Sequence, residues 1–276
     1  MRGYGGRRPG AGIVLAGGRS SRMGTPKADL DWHGTPLLTR TVAVLGRAVN
    51  GPLVVVRAAG QPLPLLPEGT EVLDDPVPDL GPLPAIGIGL AAVESLDRSS
   101  AFVASVDLPL LHPAFAARTL DHLDGHDVAL PVAHGHHQPL AAAYRTALAA
   151  EIAALTRAGE GRPPSLFARC DVHRIDERAL RADPVLARLD PGLDSLLNVN
   201  TPDELADALA RPLPAVRLQD GDGRTRTLRA ARAGAVEGGL VAVGETVAPP
   251  GPLPSWFPLV TGDSVARERL SRSGPR

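Results

Sequence analysis

The chain has 276 residues, 43% of them hydrophobic and 21% charged, so it is long enough for one large domain with a sizeable core. Its formal net charge of -1 excludes a broadly basic surface for nucleic acid or anionic membranes, so any anion site must be local. Cys170 is the only cysteine, which excludes an intramolecular disulfide and a cysteine-based zinc site and fits a reducing cytoplasm. The apolar stretches are too short for a signal peptide or a membrane span, so we expect a cytoplasmic protein.

The predicted elements alternate between strands and helices. Short apolar runs predict strands at residues 11–16, 53–56, 101–106, 128–132, 171–175 and 194–199. Apolar residues at helical spacing predict helices at residues 36–49, 84–96, 113–123 and 202–210, and in the later part of the alanine-rich stretch 140–158. Thr201 is the expected N-cap of the last helix. This alternation predicts a three-layer α/β fold with a mostly parallel sheet.

The pattern changes near residue 212, where Arg-Pro-Leu-Pro precedes a strand-rich tail with Gly-rich turns. We therefore predict three parts. They are a flexible N-terminus at 1–10, an α/β domain at 11–212 and a small β-rich extension at 213–276.

A glycine-rich segment, LAGGRSSRMGTPK at 15–27, follows the first predicted strand. Its glycines let backbone N–H groups approach an anion without interference from Cβ atoms, and Arg19, Arg22 and Lys27 add positive charge. A polyphosphate is therefore the natural ligand, and the alternative is a strand-to-helix loop that happens to be basic. No glycine precedes Lys27 and no GxGxxG is present, which disfavours an ordinary ATPase or dinucleotide dehydrogenase.

Asp107 ends the third predicted strand, directly before Leu108-Pro109. A carboxylate there suits Mg²⁺, and the alternative is a helix N-cap before His112-Pro113. Because ligands of such folds bind at the carboxyl ends of the strands, the glycine-rich segment and Asp107 are expected to share one edge of the sheet. This shared edge favours the metal role.

Four motifs in this order resemble one enzyme family. LAGGRSSRMGTPK resembles the LAGGxSxRMGxxK signature of nucleotidyltransferases that make nucleotide-linked cofactors and sugars. Together with SVDLPLL, GHHQPLAAAY and LNVNTPDEL, it resembles the molybdenum cofactor guanylyltransferases over roughly residues 11–210. The resemblance implies a Rossmann-like nucleotidyltransferase fold. It also implies Mg²⁺-dependent transfer of GMP from GTP to the terminal phosphate of molybdopterin, with or without molybdenum.

The resemblance also implies a set of site residues. The catalytic residues would be Arg22, Lys27 and Asp107, with Asp107 holding the metal. The nucleotide would contact Leu15, Ala16, Gly17, Gly18, Lys27, Asp74, Gly81 and Asp107. The acceptor would contact Gln138, Arg162, Asn198 and Asn200.

The prediction that the base is guanine depends on an acidic pair, Asp74-Asp75, that precedes the Gly81 loop. Asp74 fits the position of the family's base-reading carboxylate, and Asp75 or Asp79 are alternatives, as is a purely solvating role. Arg57-Ala58-Ala59 stands where the family has an asparagine, so one base contact is expected to be missing.

Two other features invite different interpretations. The three histidines of the segment 134–137 suggest zinc, but no second cluster completes a site, and a polar turn before Gln138 is favoured. The tail resembles the second half of small ubiquitin-like sulfur carriers, but it ends in Ser-Gly-Pro-Arg instead of Gly-Gly. We therefore expect a degenerate β-grasp module or an irregular β extension.

Three alternatives to guanylyl transfer follow from the sequence. One is the cytidylyltransferase of the same cofactor, and another is a nucleotidyltransferase for a different phosphorylated acceptor. The third is a non-catalytic, nucleotide-binding scaffold whose tail recruits cofactor-synthesis enzymes. The expected partners are GTP, molybdopterin and enzymes that make or accept the cofactor, with no nucleic acid and no membrane.

Overall fold

The computed structural model describes residues 7–17, 23–32, 35–77 and 79–210 in full, and residues 215–219, 225–236 and 239–246 by their backbone. The strands are β1 (Ala11–Leu15), β2 (Asp31–Trp32), β3 (Thr35–Pro36), β4 (Leu53–Ala58), β5 (Thr70–Asp75), β6 (Ser100–Ser105), β7 (Val128–Ala133), β8 (His136–His137), β9 (Ala141–Arg145), β10 (Val172–Asp176), β11 (Ala215–Gln219), β12 (Thr225–Val236) and β13 (Gly239–Thr246). The helices are α1 (Leu37–Ala48), α2 (Leu83–Ser95), α3 (Pro113–Asp121), α4 (Ala149–Arg157), α5 (Pro163–Phe167), α6 (Glu177–Ala182), α7 (Leu186–Leu189) and α8 (Pro202–Leu209). No helix in the described part of the chain is long and apolar enough to cross a membrane.

A mixed, mostly parallel sheet forms the centre of the fold. Its strand order is β10-β7-β9-β6-β1-β4-β5, with β8 paired to β7. β1 pairs in parallel with both β4 and β6, β5 extends the sheet in parallel beside β4, and β9 lies antiparallel between β6 and β7. The predicted α/β fold with a mostly parallel sheet is confirmed.

Both faces of the sheet are covered, which makes three layers. Successive residues of β1 point to opposite faces, so Val14 joins the core with α1 and α3, whereas Ile13 and Leu15 join the core with α2 and α4. A strand buried on both faces needs a continuous apolar run instead of alternation, and AGIVL supplies one.

Most predicted elements agree with the structure to within two residues. One exception is the alanine-rich stretch, where Ala141–Arg145 is a central strand and helix α4 begins only at Ala149. Another is the strand expected at 194–199, which is wrong because Asp194–Leu196 forms a 3-10 turn after Leu193 with φ of +55°. The prediction also omitted the exposed edge strand β5, which carries Asp74.

The structure describes part of each predicted terminal segment. Arg8 donates its backbone N–H to the carbonyl of Ala48 at 2.8 Å and accepts from Asn50 at 3.1 Å, and its side chain pairs with Asp121. Arg8 is therefore attached to the α/β domain, and residues 1–6 lie outside the described part. In the tail, β11, β12 and β13 form an antiparallel sheet, as a strand-rich extension requires. The boundary near 212 and residues 247–276, on which the β-grasp idea depends, lie outside the described residues.

Candidate nucleotidyl-transfer site

The carboxyl ends of four parallel strands lie side by side at one edge of the sheet, in the order β6, β1, β4, β5. Asp107 follows β6, Ala16 and Gly17 follow β1, and Asp74 belongs to the end of β5. Because β9 runs antiparallel to β6, its start, with Gln138 just before it, returns to the same edge. The topology therefore collects residues from across the sequence along one line.

Lys27 connects two predicted site residues. Its Nζ donates to Asp107 Oδ2 at 3.2 Å and to Asn200 Oδ1 at 2.8 Å, although 80 and 173 residues separate the partners in sequence. The Lys27 and Asp107 side chains are 18% and 21% exposed, so the ion pair is shielded from bulk water on most sides. The expectation that the glycine-rich segment and Asp107 share an edge is confirmed.

The Asp107 carboxylate is oriented from the other side by Ser105, which the sequence reasoning missed. The buried Ser105 hydroxyl donates to Asp107 Oδ1, which directs Oδ2 to Lys27. The backbone is anchored as well, since Val199 N–H donates to the Asp107 carbonyl at 2.9 Å. The only sequence signal was the i, i+2 spacing at a strand end, which places two side chains on one face.

Asn200 is fixed by the start of α8. Thr201 and Glu204 form the predicted capping box, and Glu204 Oε2 also accepts from the backbone N–H of Asn200 at 2.6 Å. This hydrogen bond is the main reason that the pKa of Glu204 lies below its usual value, so the acceptor stays ionised. Asn198 is exposed, and buried Val199 anchors the segment between the two asparagines.

Asp74 lies at the β5 end of this edge. Its Oδ1 accepts from Arg57 Nε at 2.7 Å, and this hydrogen bond is the main reason that the pKa of Asp74 is lowered. Asp75, the alternative to Asp74, makes a hydrogen bond within its own turn, where its Oδ1 accepts from Val77 N–H at 2.9 Å. Asp79 lies in the following turn with φ of +68°.

The backbone of Leu15 and Ala16 is already hydrogen-bonded. Leu15 O accepts from Val106 N–H at 3.2 Å, and Ala16 N–H donates to Val56 O at 2.8 Å. Ala16 O accepts from Gln61 Nε2 at 3.1 Å, so Gln61 covers the end of β1. Gly17 is exposed at that end, and two further predicted residues, Gly18 and Arg22, lie outside the described residues.

Gly81 and Arg162 belong to two loops in direct backbone contact. Gly81 has φ of +117°, and a Cβ atom on it would lie 2.5 Å from the carbonyl oxygen of Gly161. The same carbonyl accepts from Leu83 N–H at 3.0 Å, at the start of α2. Arg162 follows with an exposed side chain, so the loops assigned to nucleotide and acceptor share one frame.

Gln138 follows the β7–β8 hairpin, whose two-residue turn is His134-Gly135. Positive φ angles of +54° and +77° define a type I′ turn, which matches the polar turn favoured from the sequence. Gln138 Nε2 donates to Ala133 O at 3.1 Å, so this side chain also closes the hairpin. Ser105 N–H donates to Leu140 O at 3.0 Å, which places the segment beside the end of β6.

The donor set of the edge fits a hard divalent cation that is bound together with phosphates. Within the described ranges, no group of three or more His, Cys, Asp or Glu side chains is arranged to hold a metal. Mg²⁺ in phosphate-transfer sites takes only one or two carboxylates and completes its shell with water and substrate oxygens. Here one carboxylate and one amide oxygen, from Asp107 and Asn200, already face a single cationic group.

The fold and this edge define a nucleotidyltransferase of the α/β class. The MobA-like NTP transferase domain matches residues 12–175, and the chain belongs to that family. This match covers β1, β4, β6 and β7, and therefore the central strands whose ends carry the site.

Curated relatives and solved structures agree with this assignment. A probable molybdenum cofactor guanylyltransferase of Mycobacterium bovis is 44% identical over 172 residues, which cover 60% of this chain and 83% of the relative. The counterpart of Mycobacterium ulcerans is 40% identical over 176 residues, covering 60% and 82%. Molybdopterin-guanine dinucleotide biosynthesis protein A of Archaeoglobus fulgidus shares the fold, with a TM-score of 0.54, 23% identity, and coverage of 71% and 95%. The 2-C-methyl-D-erythritol 4-phosphate cytidylyltransferase of Thermus thermophilus also shares it, with a TM-score of 0.51, 20% identity, and coverage of 73% and 99%.

Proposed function

We propose that this protein transfers GMP from GTP to the terminal phosphate of molybdopterin, with or without molybdenum, and releases pyrophosphate in a Mg²⁺-dependent reaction. The contact of Lys27 with both Asp107 and Asn200 carries the proposal, because it joins a cation and two oxygen ligands at the end of the glycine-rich segment. The names of the curated relatives support the choice of donor and acceptor.

Lys27 is the single lysine among the 29 Lys and Arg residues of the chain. An ammonium is a compact charge with three rotatable donors, whereas a guanidinium is a rigid planar fork. The compact ammonium of Lys27 contacts both Asp107 and Asn200. In our proposal it neutralises the charge that builds on the α-phosphate and on the departing pyrophosphate.

The reaction needs no protein nucleophile. An acceptor phosphate oxygen attacks the α-phosphorus, the new P–O–P bond forms, and pyrophosphate leaves with the bonding electrons. Asp107 and Asn200 would hold Mg²⁺, which would supply charge neutralisation for the phosphates of both substrates. Ser105 keeps the Asp107 carboxylate in the required orientation.

The two substrates would lie on opposite sides of Lys27. In our proposal the base lies toward Asp74, and the backbone around Gly17, Gly18 and Arg22 cradles the phosphates. The acceptor lies toward β9, where Gln138, Arg162, Asn198 and Asn200 offer polar groups to an anionic ligand.

The decisive experiment measures pyrophosphate release by purified protein with Mg²⁺, molybdopterin and GTP, CTP or ATP in turn. GTP is expected to support turnover, and Lys27→Ala is expected to reduce kcat by about a hundredfold to a thousandfold, as for loss of one charge-stabilising group. Lys27→Arg keeps the positive charge but replaces the compact ammonium with a planar guanidinium, so it separates the contribution of charge to kcat from that of side-chain shape. Arg169→Ala is the matched control, because Arg169 pairs with Glu151 at 3.1 Å outside the site.

The single lysine allows an independent test of nucleotide binding. An amine-reactive acylating reagent can modify only Lys27 and the N-terminal amine, and bound GTP is expected to protect Lys27 in a mass-spectrometric readout. Absence of pyrophosphate release with every nucleotide would refute nucleotidyl transfer to molybdopterin. Faster turnover and stronger protection with CTP would instead identify a cytidylyltransferase and remove the guanine role of Asp74.

A further inference from the structure

Arg57 and Asp74 form a charged pair at the base side of the candidate site. They are register partners on the neighbouring parallel strands β4 and β5, and Arg57 Nε donates to Asp74 Oδ1 at 2.7 Å. Their side chains are 28% and 48% exposed, so a ligand at the carboxyl edge can reach both. Arg57 and Asp74 lie two and three strands from β6, which precedes Asp107, and β1 lies between them and β6.

The guanidinium is fixed at a second point. Arg57 Nη1 donates to the backbone carbonyl of Gln61 at 2.7 Å. A tight turn returns Gln61 to this position, since Gln61 N–H donates to Ala58 O at 3.0 Å and Gly60 adopts φ of +71°. The Gln61 side chain then bridges Ala58 N–H at 3.2 Å and Ala16 O at 3.1 Å. Arg57 is therefore held by a turn that is itself attached to the ends of β1 and β4.

We propose that Arg57 is a specificity-determining residue that donates to the O6 atom of guanine while Asp74 accepts from the base N1–H and 2-amino groups. This inference rests on the proposed function, because it assigns the base contacts of the same site. A guanidinium carries five N–H groups, of which the contacts to Asp74 and Gln61 use two. The Asp74 carboxylate has more lone pairs than its bonds from Arg57 and from the Gly60 backbone N–H occupy.

The order of donors and acceptors on the pair matches one base. Along one edge, guanine presents two donors, the 2-amino group and N1–H, and then one acceptor, O6. Asp74 offers acceptors for the two donors, and Arg57 beside it offers donors for O6. Adenine places an amino group where guanine has O6 and a ring acceptor where guanine has N1–H, so donor meets donor and acceptor meets acceptor. Cytosine places its amino group and ring acceptor in the same unfavourable order. In this proposal Arg57 takes the place of the base contact that the family resemblance implied to be missing.

The competing explanation is that Arg57 and Asp74 form only an inter-strand ion pair. Exposed ion pairs contribute little to stability, so the melting temperature without nucleotide does not separate the two explanations. Nucleotide preference separates them, because an ion pair between strands has no reason to distinguish O6 from an amino group.

The experiment measures dissociation constants of GTP, 6-thio-GTP and ATP, each with Mg²⁺, for the full chain and for Arg57→Ala. The 6-thio analogue keeps N1–H and the 2-amino group but replaces O6 with a poor acceptor. Arg57→Ala is expected to raise the dissociation constant of GTP by about tenfold to a hundredfold, the range for one hydrogen bond from a charged donor. The dissociation constant of ATP is expected to rise by much less. The preference of the wild-type protein for GTP over 6-thio-GTP is expected to vanish in the variant, as in a double-mutant cycle.

Controls and outcomes distinguish this inference from the proposed function. Arg169→Ala, which breaks another surface ion pair, is expected to leave all three constants unchanged. Arg57→Gln keeps a neutral donor and serves if Arg57→Ala does not fold, with an intermediate preference expected. If the wild-type protein prefers GTP and both Arg57 variants keep that preference in full, Arg57 is only an ion-pair partner and the inference is overturned. If the wild-type protein shows no preference for GTP, the proposed function itself fails.

Discussion

Gly81→Ala tests whether the close backbone contact between the Gly81 loop and the Gly161 loop fixes their relative position at the site. The new Cβ would lie 2.5 Å from Gly161 O and 3.1 Å from Gly161 C, which are backbone atoms and cannot rotate away. The contact is mutual, since a Cβ on Gly161 would lie 2.0 Å from Leu80 O. The backbone of one loop must therefore move, and Gly161 O must give up its hydrogen bond from Leu83 N–H at 3.0 Å.

The expected loss of stability has two parts. The φ of +117° at Gly81 lies in a region that costs an L-residue about 1–3 kcal/mol. Losing the hydrogen bond to Leu83 adds about 1 kcal/mol. The sum of about 2–4 kcal/mol corresponds to a fall in melting temperature of about 4–16 °C for a domain of this size.

Thermal and urea denaturation followed by circular dichroism measures this loss, and Gly159→Ala is the matched control. Gly159 has φ of +81° in the same loop, but a Cβ there meets nothing within 4 Å. The control therefore carries only the conformational cost, about 1–2 kcal/mol, and a correspondingly smaller fall in melting temperature. If Gly81→Ala is no less stable than Gly159→Ala, the close backbone contact is not a constraint and the shared frame is refuted.

Three further predictions concern single side chains near the site. Ser105→Ala removes the donor to Asp107 and is expected to raise the Mg²⁺ concentration for half-maximal pyrophosphate release by about tenfold; an unchanged Mg²⁺ titration would contradict the orienting role. Burial lowers the pKa of His112 to about 3, so the stability due to its neutral form is present above pH 6.5 and is lost as the pH falls, by up to about 1.4 kcal/mol per unit. Urea denaturation at pH 7.5 and 5.0 should show a smaller loss for His112→Asn, and an equal loss would assign the pH dependence to other groups. Glu204→Ala removes one side of the capping box and its hold on Asn200, with an expected loss of about 1 kcal/mol in unfolding free energy and a lower kcat; a stability loss with full kcat would limit Glu204 to capping.

The parts of the fold that could be predicted are those whose signal is local. The apolar runs that became β1 and β6 are buried on both faces, so their residues are apolar except for the serines at the two ends of β6. The capping box of Thr201 and Glu204 is a property of four consecutive residues and appears in the structure as expected. The common edge of Lys27 and Asp107 followed from the rule that parallel strands present their carboxyl ends together.

The elements that were missed depend on tertiary context. Ala141–Arg145 has a helical composition, but it fills the space between β6 and β7, where small side chains fit and neighbouring strands supply hydrogen bonds. The edge strand β5 gave no periodic signal because it is largely exposed. Ser105 and Arg57 could not be assigned from sequence because their partners are defined by side-chain orientation and by strand register.

The topology also explains why the two substrates are expected on opposite sides of Lys27. Parallel strands β1, β4 and β5 lead away from Asp107 in one direction, and each adds backbone or charged groups suited to a nucleotide. In the other direction the order is interrupted by antiparallel β9, whose preceding segment returns Gln138 to the edge. If the strand beside β6 were parallel to it, the start of that strand would lie at the opposite edge of the sheet, away from Asp107. In our proposal the segment before antiparallel β9 supplies the acceptor side, and the ammonium of Lys27 lies where the two directions meet.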